Sequence, residues 1–587
     1  RKSQIIKEAI SVMNLQKDDF EKNTKFLSSD IVFHTVSSES RVSSLATEHQ
    51  AASDANSNLK SYNDLAVFLS PTSGMYVNET LRLLPCLKLL VGNTWLPKNN
   101  NFLAYEYNRL GPEGIIRVKA EDDRRHDSSL LRVDQVFRQS YEALFRYYIA
   151  SVVPNRNSIN RLVLTYPNTY TPRHITTLRG VVKSAFPSVR ELQFVSESDA
   201  VAAYYLKHWY DYSMQEGEIT DNENILVFDM GAGTLDVSFV SKTTDKSEIT
   251  LEILGKLGTS KAGNYLDFVL AKIVSELTNL SDILAETNSA PDEETSRDRT
   301  QLKLFVKTNL KPLLCEAERS SELTYNKKKF TVGAVMDHNI FSSFLEDVSD
   351  KFLKRLVNYM NPKSGVLPIN TVLMSGRSCL LEPLQEKLKV ALGKITDLKP
   401  RYVILDSPIR KADNETDRQK IAVAEGAMEM ADNYRRPNST IHVKSRRHYA
   451  SFGLAYETVG GKMRYKEILN HHNIPESNLD NLKRFTTETV TISDLNNVRQ
   501  LILIQSYLSA ADTENALNNQ DYEFVTEMEV VDTQALGNPS AVEAKLCIDE
   551  NNDIIIYFGT QRTRGQQPQG EDLQSEETKR SIWPVTI

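Results

Sequence analysis

The sequence predicts a large α/β domain followed by an all-β domain. The 587 residues are enough for roughly two to four domains. Short apolar runs alternate with amphipathic helical segments over about 65–433, which is typical of α/β domains. Over about 450–562, strand patterns replace the helical ones and indicate an all-β domain.

The segments outside these two domains have simpler compositions. Residues 1–64 favour a helix at first and then become rich in Ser, Ala and Asn, so we predict a helical segment followed by an insertion of low periodicity. Residues 434–449 form a polar, basic linker, and residues 563–587 are predicted to be a disordered tail. Because the chain opens with Arg1 rather than Met, we expect it to be incomplete at its N-terminus.

Local signals predict the individual elements over 160–228. Thr171 and Pro172 provide an N-cap and a proline at the first helical position. The apolar run at 225–228 is typical of a strand that is buried on both faces. The predicted elements are strand 161–165, a helix from 172, strand 192–195, helix 199–209 and strand 225–228. In the all-β domain, segments 545–549 and 554–558 flank a polar turn and predict a hairpin.

Charge and composition exclude some classes of partner. The formal net charge of −7 and the pI near 5.9 argue against nucleic acid. No run of about 18 apolar residues is present, so we expect no membrane span. The four cysteines are scattered through apolar stretches, which favours buried thiols and a reducing, cytoplasmic location.

The most informative segment is an apolar strand that ends in Asp229 and continues into a turn of small residues. Gly231 and Gly233 lack the Cβ atoms that would block a phosphate, and their N–H groups can point at it. Thr234 can add a hydroxyl donor, and Asp229 and Asp236 can hold a hydrated Mg²⁺. The alternative is a hairpin with a glycine-rich turn whose acids are merely solvated. The spacing fits neither a Walker-A loop nor a dinucleotide-binding fingerprint.

This segment resembles the second phosphate-binding hairpin of the DnaK-type chaperones, the seventy-kilodalton heat-shock family, where it is usually DLGGGTFDVS. Five further segments are similar to motifs of that family, in the same order along the chain. They are Leu164–Tyr170 (VTVPAYF), Ser196–Tyr204 (NEPTAAAIAY), Lys261–Asp267 (LGGEDFD), Thr371–Ser378 (VLVGGSTR) and Ala422–Ala427 (AVAYGAA). The likeness covers roughly 65–433.

The resemblance implies an α/β, actin-like, two-lobed ATPase domain that binds ATP or ADP with Mg²⁺, with Asp229 holding the metal through water. The catalytic residues that it implies are Asp229, Glu197, Lys98 and Asp236. The nucleotide-binding residues that it implies are Gly231, Ala232, Gly233, Thr234, Gly263, Lys307, Lys311, Gly376 and Arg377.

Some of these residues also have a simpler interpretation. Lys98 lies about where the family carries a catalytic lysine, but its surroundings also fit an exposed turn. Glu197 is either the family's metal-proximal glutamate or an acid at a helix N-terminus. Lys303, Lys307 and Lys311 recur at every fourth position, so they either contact adenosine or form a solvated stripe.

The all-β domain resembles the peptide-binding β-sandwich of the same family. The similar segments are Ser451–Met463, Asn473–Pro475, Phe485–Thr487 and Ala544–Ile556. The resemblance implies that 450–562 binds extended protein or peptide clients by strand-like backbone pairing, and that co-chaperone-like proteins are further partners.

The sequence also departs from the family. The first phosphate loop, GIDLGTT, is expected near residue 40 and is not found there, so it either lies upstream of Arg1 or is lost. No helical lid follows the sandwich. The apolar interdomain linker VLLLD is replaced by 438–444, and because Lys444 and the arginines after it would lose solvation in an apolar groove, we predict that docking of the linker is disfavoured. Control of peptide binding by ATP should then be weak.

Three hypotheses about function remain. The first is a chaperone-like protein that hydrolyses ATP, the second a nucleotide-binding scaffold or sensor without hydrolysis, and the third an actin-like filament subunit. The sandwich argues against the third hypothesis. The missing phosphate loop and lid favour the second.

Overall fold

The structure of the protein is a computed structural model. It describes most of residues 160–560, together with five short strands before them and residues 578–581. Within 160–560 the residues outside the description are 209–221, 246–247, 281–297, 299–300, 304, 317, 362, 406–417, 434–440, 446–449, 471–484, 496, 520, 522, 537–539 and 549–553. Lys98 and the predicted N-terminal helix also lie outside the described residues.

Five short strands precede residue 160. They are β1 (Ile31–Val36), β2 (Glu39–Arg41), β3 (Leu81–Leu84), β4 (Ile115–Val118) and β5 (Ser129–Arg132). One sheet has the order β2-β1-β3, and β4 pairs with β5. The prediction for 1–64 is wrong at β1 and β2, because the run Ile-Val-Phe-His-Thr-Val of β1 is rich in β-branched residues, which favour strands.

A strand–helix–strand unit follows. Its elements are β6 (Arg161–Tyr166), α1 (Pro172–Ala185) and β7 (Glu191–Ser196), after which α2 (Glu197–Lys207) begins at once. Strands β6 and β7 are parallel. The predicted strands at 161–165 and 192–195 and the helix from Pro172 are confirmed, and Thr171 is the N-cap of α1. The predicted helix at 199–209 begins two residues earlier, at Glu197.

The elements between 222 and 445 build the central part of the molecule. In chain order they are β8 (Asn222–Met230), β9 (Leu235–Asp245), β10 (Glu248–Thr259), α3 (Gly263–Leu277), a π-helix (Val306–Leu310), α4 (Lys311–Cys315), β11 (Glu322–Tyr325), β12 (Lys328–Thr331), α5 (Val332–Met336), α6 (Asn339–Glu346), a second π-helix (Asp347–Lys351), α7 (Phe352–Met360), β13 (Thr371–Ser375), a 3-10 helix (Arg377–Leu380), α8 (Glu382–Leu392), β14 (Arg401–Ile404), α9 (Arg418–Asn433) and β15 (Ile441–Ser445). Six of the strands form one sheet in the order β14-β13-β8-β9-β10-β15. Strand β8 is parallel to β13 and antiparallel to β9.

The central sheet buries both of its faces. Leu226 and Phe228 of β8 belong to a core with α3, α6, α7 and α8, whereas Ile225 and Val227 belong to a core with α2 and α9. Since side chains alternate across a strand, the apolar run at 225–228 fills both cores, and its predicted burial on two faces is confirmed. Gly426 brings α9 against α2, because a Cβ at this position would overlap the backbone of Ala200.

Strand β15 shows that the prediction of a disfavoured, undocked linker is wrong. Ile441–Ser445 pairs in parallel with Ile249–Ile253 of β10 and forms an edge of the central sheet. Backbone pairing at a sheet edge does not require an apolar sequence, and edge strands often carry charged residues. Val443 also packs against the core that α2 and α9 share.

The C-terminal part consists of two sheets. Its elements are β16 (Ser451–Glu457), β17 (Met463–Leu469), β18 (Phe485–Thr486), β19 (Val490–Ile492), β20 (Gln500–Ser506), α10 (Ala510–Asn518), β21 (Val525–Asp532), a 3-10 helix (Thr533–Leu536), β22 (Val542–Ile548), β23 (Ile554–Thr560) and β24 (Thr578–Ser581). One sheet has the order β17-β16-β20-β21, and the other the order β18-β22-β23-β24 with β19 also on β22. Both contribute to one core, with Leu454 and Leu503 from the first and Leu546 and Ile556 from the second.

Two predictions for this part have clear outcomes. The hairpin predicted at 545–549 and 554–558 is confirmed as β22 and β23. The disordered tail is wrong at Thr578–Ser581, where β24 pairs with Ile555–Phe558 of β23 and extends the sheet. The predicted burial of thiols is confirmed for Cys379 and Cys547, whereas Cys315 is half-buried. The actin-like arrangement and the domain boundaries stay predictions.

Candidate functional site

The predicted phosphate hairpin is formed by β8 and β9. Their pairing places Asp229 directly opposite Asp236, so both carboxylates lie on one face of the sheet. The hydrogen bond from Gly231 N to Thr234 O, at 2.9 Å, closes the turn between the strands. Gly231 and Gly233 are half-buried and Ala232 is exposed, so the tip of the turn is accessible.

Neighbouring elements fix the shape of this turn. At the start of α3, Gly263 N donates to Gly231 O at 3.0 Å and Asn264 N donates to Ala232 O at 2.7 Å. Ser378 Oγ, from the 3-10 helix after β13, also donates to Gly231 O, at 3.3 Å. The structure therefore brings the predicted residue Gly263 to the hairpin, where it contacts the turn through its backbone.

Strand β13 brings the predicted adenosine loop to the end of β8. Ser375 pairs with Asp229 across the parallel strands, and Gly376 follows with a φ of 83°. A Cβ at Gly376 would overlap Met230 O and lie 2.9 Å from Asp229 Oδ1, so glycine lets this loop pass close to the carboxylate. Ser375 Oγ is buried and has no hydrogen-bond partner among the described residues. Arg377, the next predicted residue, is exposed.

The two aspartates have different surroundings. Asp236 is 1% exposed, its Oδ1 accepts from Asn168 N at 2.5 Å, and its Oδ2 accepts from Thr234 Oγ1 at 2.6 Å. The hydroxyl of Thr234, which we predicted to face a phosphate, is thus bonded to Asp236. Asp229 lies near the buried thiol of Cys379, and burial together with the charge of Asp229 raises the pKa of that thiol. Asp236 locks the hairpin, whereas Asp229 borders the Gly376 loop.

A buried polar network joins β9 to α2. Ser238 Oγ donates to Asp199 Oδ1 at 2.8 Å, and Lys256 Nζ pairs with the other oxygen of Asp199. Asn168 Nδ2 donates to Ser198 Oγ at 3.0 Å. Sequence reasoning missed this network, although one signal was present: Lys256 is the charged residue within the otherwise uncharged run 253–259.

Glu197 is the first residue of α2 and is half-buried. An acid at this position is favoured by the helix dipole. The next residue, Ser198, lies 2.7 Å (Oγ to Oγ) from Ser238 of β9, so the N-terminus of α2 lies against the hairpin strand. The role of Glu197 near the metal stays a prediction.

Two of the predicted lysines, Lys307 in the first π-helix and Lys311 at the start of α4, pair with Asp267 of α3. Lys307 Nζ lies 3.7 Å from Asp267 Oδ2, and Lys311 Nζ lies 2.8 Å from Asp267 Oδ1. Lys311 Nζ also donates to Gly263 O at 3.3 Å. The interpretation as a solvated stripe is therefore wrong for Lys311, which holds the helix that supports the phosphate turn, whereas Lys307 is exposed and its ion pair with Asp267 is longer. Their contact with adenosine stays a prediction.

The C-terminal sheets reach this site through Tyr507, the residue after β20. Its hydroxyl donates to Asn168 O at 3.4 Å, and the N–H of the same Asn168 donates to Asp236. Burial raises the pKa of Tyr507 well above its usual range, and the nearby Tyr166 and Asp236 raise it further. The hydroxyl therefore stays protonated and can donate at neutral pH.

A second contact between the central and C-terminal parts is charged, and we call it the Lys261 cluster: Lys261, Asp347 and Glu523. Lys261 Nζ lies 3.1 Å from Asp347 Oδ2 and 3.2 Å from Glu523 Oε2. Burial alone would lower the pKa of Lys261, but the two carboxylates outweigh it and the pKa is raised. Beside the cluster, the guanidinium carbon of Arg355 lies 4.7 Å from the ring centroid of Phe524.

A scan against protein-family models finds none that matches the chain, and a search of the curated proteins finds no match. The resemblance to the DnaK-type chaperones thus stays a prediction that rests on the motifs themselves. Among the described residues, no three or more His, Cys, Asp or Glu side chains are grouped so that they could hold a metal ion. In the same part of the chain, no helix has the length and apolar character needed to cross a membrane.

Proposed function

We propose that the protein binds ATP or ADP with Mg²⁺ at the β8–β9 hairpin and holds extended protein segments on its C-terminal sheets, as a chaperone-like ATPase. One observation carries the proposal: two separate elements pack against the accessible turn of the hairpin. They are the N-terminus of α3 and the glycine loop after β13.

The turn suits a phosphate chain. Its tip carries only small residues, with Ala232 exposed, so the backbone can be approached closely. The N-terminus of α3, a helix of 15 residues, is bonded to the turn, and the positive end of its dipole favours a negative ligand there.

The residues around Asp229 fit Mg²⁺. Like charges directly opposite each other on a sheet are unfavourable, so a cation beside Asp229 would stabilise the pair that it forms with Asp236. Mg²⁺ keeps several waters and binds through one or two carboxylates and the phosphates, so a three-ligand cluster is not required. When bound, the metal would neutralise charge on the transferred phosphoryl group. The chain's part is to hold Asp229 in place, and glycine at 376 allows the loop after β13 to pass close to this carboxylate.

Two routes support coupling between nucleotide and the C-terminal sheets. One runs from Asp236 through Asn168 to Tyr507, and the other is the Lys261 cluster, which adjoins the start of α3. In place of the weak control by ATP expected from the linker sequence, we propose that client affinity differs by more than about tenfold between the ATP and ADP forms, or about 1.4 kcal/mol.

Calorimetry and thermal melting with Mg-ATP and Mg-ADP test nucleotide binding. The variants are Asp229→Asn and, as a matched control, Asp245→Asn at the exposed far end of β9. We expect nucleotide to raise the melting temperature of the wild type and of the control, because a ligand that binds the folded state stabilises it. Asp229→Asn should bind more weakly. No heat and no thermal shift at millimolar nucleotide in any form would remove the proposal.

The scaffold without hydrolysis is the second candidate, and one observation favours it. Thr234 and Asp236 are bonded to each other and serve the hairpin, so fewer groups of the turn are available for chemistry. Phosphate release in a single turnover separates the two candidates. Release no faster than ATP hydrolysis in buffer, from protein that binds nucleotide, would favour the scaffold.

A further inference from the structure

Strand β17 lies at one edge of the sheet β17-β16-β20-β21. It pairs with β16 on its inner side, where Met463 is opposite Glu457 and Tyr465 is opposite Ala455. In an antiparallel ladder, every second residue turns its N–H and C=O groups away from the partner strand. On an edge strand these groups face outwards, where they can pair with a further strand.

The outward groups of β17 are bonded to side chains of α10. Asn518 Oδ1 accepts from Met463 N at 3.0 Å, and Asn518 Nδ2 donates to Met463 O at 2.9 Å. Glu514 Oε2 accepts from Tyr465 N at 3.1 Å. The carboxamide of Asn518 thus makes the same two bonds to Met463 that the backbone of one residue in an added antiparallel strand would make.

The spacing of the two side chains also matches a strand. Glu514 and Asn518 are four residues apart on a helix, a rise of about 6 Å. Met463 and Tyr465 are two residues apart on a strand, a rise of about 6.8 Å. One turn of α10 therefore covers one repeat of the outward groups of β17.

The buried residues of α10 are Thr513, whose hydroxyl lies 2.7 Å from Ser506 Oγ, Ala516 and Leu517. The helix has 9 residues, which is shorter than an isolated helix needs to be stable in water. Ala516 and Leu517 are its buried apolar residues, and they pack on the outer face of the sheet with Ile504 and Val525. The main core of the two sheets, with Leu503, lies on the other face. Opening of α10 would thus leave the sheet intact, as expected for a local element of low stability.

We propose that α10 is a plug that mimics a strand, and that the edge of β17 binds an extended polypeptide segment that displaces Asn518 and Glu514. The edge offers backbone donors and acceptors in alternation, which recognise an extended chain by its main chain rather than by its side chains. This proposal rests on the proposed function, in that the segment belongs to a protein client. A second copy is the weaker occupant, because pairing of two β17 edges would require two α10 helices to open at once.

The test uses the full chain and a fluorescein-labelled peptide of seven residues rich in Val and Thr, with a second peptide N-methylated at every residue. The variant Asn518→Ala/Glu514→Ala removes the three bonds to the β17 backbone, together with the Arg464–Glu514 ion pair and the bond from Asn518 Nδ2 to Glu514 O, and it leaves the buried Ala516 and Leu517 unchanged. The control Asn515→Ala alters an exposed residue of the same helix. We expect the double variant to bind the unmethylated peptide about tenfold more tightly than the wild type and the control do, because the plug opens more readily. The methylated peptide should show no gain, since it lacks N–H donors.

A third variant checks the edge directly. Met463→Pro, added to the double variant, removes an outward N–H donor at a position where edge strands tolerate proline. We expect it to abolish the gain while the melting temperature, measured for every variant, stays close to that of the double variant.

Several results would overturn the proposal. One is equal peptide affinity in the wild type and the double variant, which would leave client binding elsewhere on the sheets and the proposed function intact. If neither the wild type nor any variant bound the peptide, the edge site and client binding would both be overturned. Nucleotide binding, measured in the same samples, would test the rest of the proposed function separately. An equal gain for the methylated peptide, or dimerisation of the double variant without peptide binding, would also overturn it.

Discussion

The two strands of the β8–β9 hairpin carry one aspartate each at paired positions, but they face different parts of the molecule. On β8, Asp229 borders the Gly376 loop and lies near the thiol of Cys379. On β9, Asp236 is bonded to Asn168, and through it to Tyr507 of the C-terminal sheets. One strand thus faces the proposed nucleotide, and the other faces the proposed client-binding part.

This difference shows how a sheet can hold two opposed carboxylates. Two like charges at paired positions are unfavourable unless at least one of them is compensated. The protein compensates Asp236 with an N–H and a hydroxyl, which stabilise its charged form. For Asp229 we propose Mg²⁺ as the compensating charge. Substitutions on the two strands should therefore have different effects, and the following predictions are ordered by expected size.

The largest effect should come from the loop beside Asp229. Gly376→Ala places a Cβ against Met230 O at a backbone position with φ of 83°. We expect it to lower the free energy of unfolding by about 3 kcal/mol or more and to abolish measurable nucleotide binding. Gly365→Ala is the control, because Gly365 has a φ of 68° but nothing within 4 Å of its Cβ position. The control should cost only about 1 kcal/mol in urea unfolding and keep nucleotide binding. If both variants lost a similar amount of unfolding free energy, the effect of Gly376→Ala would come from backbone strain alone.

Alanine at the two aspartates should separate the two strands. Asp236→Ala leaves the buried donors of Asn168 and Thr234 without their acceptor, so we expect the free energy of unfolding to fall by about 1–3 kcal/mol. Asp229→Ala should lower it by less than Asp236→Ala does, since a like charge opposite Asp236 is removed at the same time. ATP hydrolysis by Asp229→Ala should slow by about tenfold or more. Urea unfolding and phosphate release measure the two effects, and an identical profile for both variants would contradict the division.

The Lys261 cluster should have a smaller effect. A double-mutant cycle of Lys261→Met and Glu523→Gln should give a coupling free energy of about 1 kcal/mol, because the two side chains are partly exposed, at 27% and 19%. The coupling should decrease in high salt. Lys329→Met and Glu322→Gln, an exposed pair at 3.3 Å, form the control cycle and should give less.

The pH dependence of this cluster follows from two pKa shifts. Although burial opposes it, bonds from Lys351 and Lys261 lower the pKa of Asp347 below its ordinary 3.8, so its contribution is present above that pH and is lost as the pH falls through the lowered pKa. The pKa of Lys261 is raised above 10.5, so its contribution is fully present below pH 10.5 and is lost as the pH rises through the raised pKa. A Lys261–Asp347 cycle should therefore give the same coupling at pH 6 and pH 9 and a smaller one near pH 3. A clear change between pH 6 and pH 9 would point to another titrating group.

The smallest effect should come from the hydroxyl of Tyr507. Its bond to Asn168 O is long, at 3.4 Å, so Tyr507→Phe should lower the free energy of unfolding by about 0.5 kcal/mol. It should also reduce the ratio of peptide affinities between the ATP and ADP forms. Tyr359→Phe is the control, because the ring centroids of Tyr359 and Tyr507 lie 5.9 Å apart, while the hydroxyl of Tyr359 is bonded to Ser451. An unchanged affinity ratio in Tyr507→Phe would exclude this route of coupling.

Local elements of the fold could be predicted from the sequence because their signals are local. The strand at 225–228 is a continuous apolar run, and the β22–β23 hairpin has the shorter apolar runs 546–548 and 554–558 around a polar turn. The small residues and acids of the phosphate hairpin are also neighbours along the chain, so their proximity needed no knowledge of the fold.

The rest depends on contacts between distant residues. Asn168 and Asp236 are 68 residues apart, and Tyr507 and Asn168 are 339 apart, and neither pair has a periodic signal. For the same reason, the different roles of Asp229 and Asp236 could not be derived from two acids in one motif. Strand β15 escaped prediction because pairing at a sheet edge uses the backbone, whereas the expectation was based on the charges of the linker side chains.

Strand β15 also sets the length of the tether that joins the two parts. It ends at Ser445 and β16 begins at Ser451, so five residues (446–450) join them, and an extended chain of this length spans roughly 20 Å. If β15 left the sheet, the tether would run from Asn433 to Ser451, which is 17 residues (434–450) and roughly 60 Å when extended. When the contacts at Tyr507 and the Lys261 cluster are also broken, unpairing of this one short strand would about triple the reach of the C-terminal sheets and lower their local concentration at the hairpin accordingly.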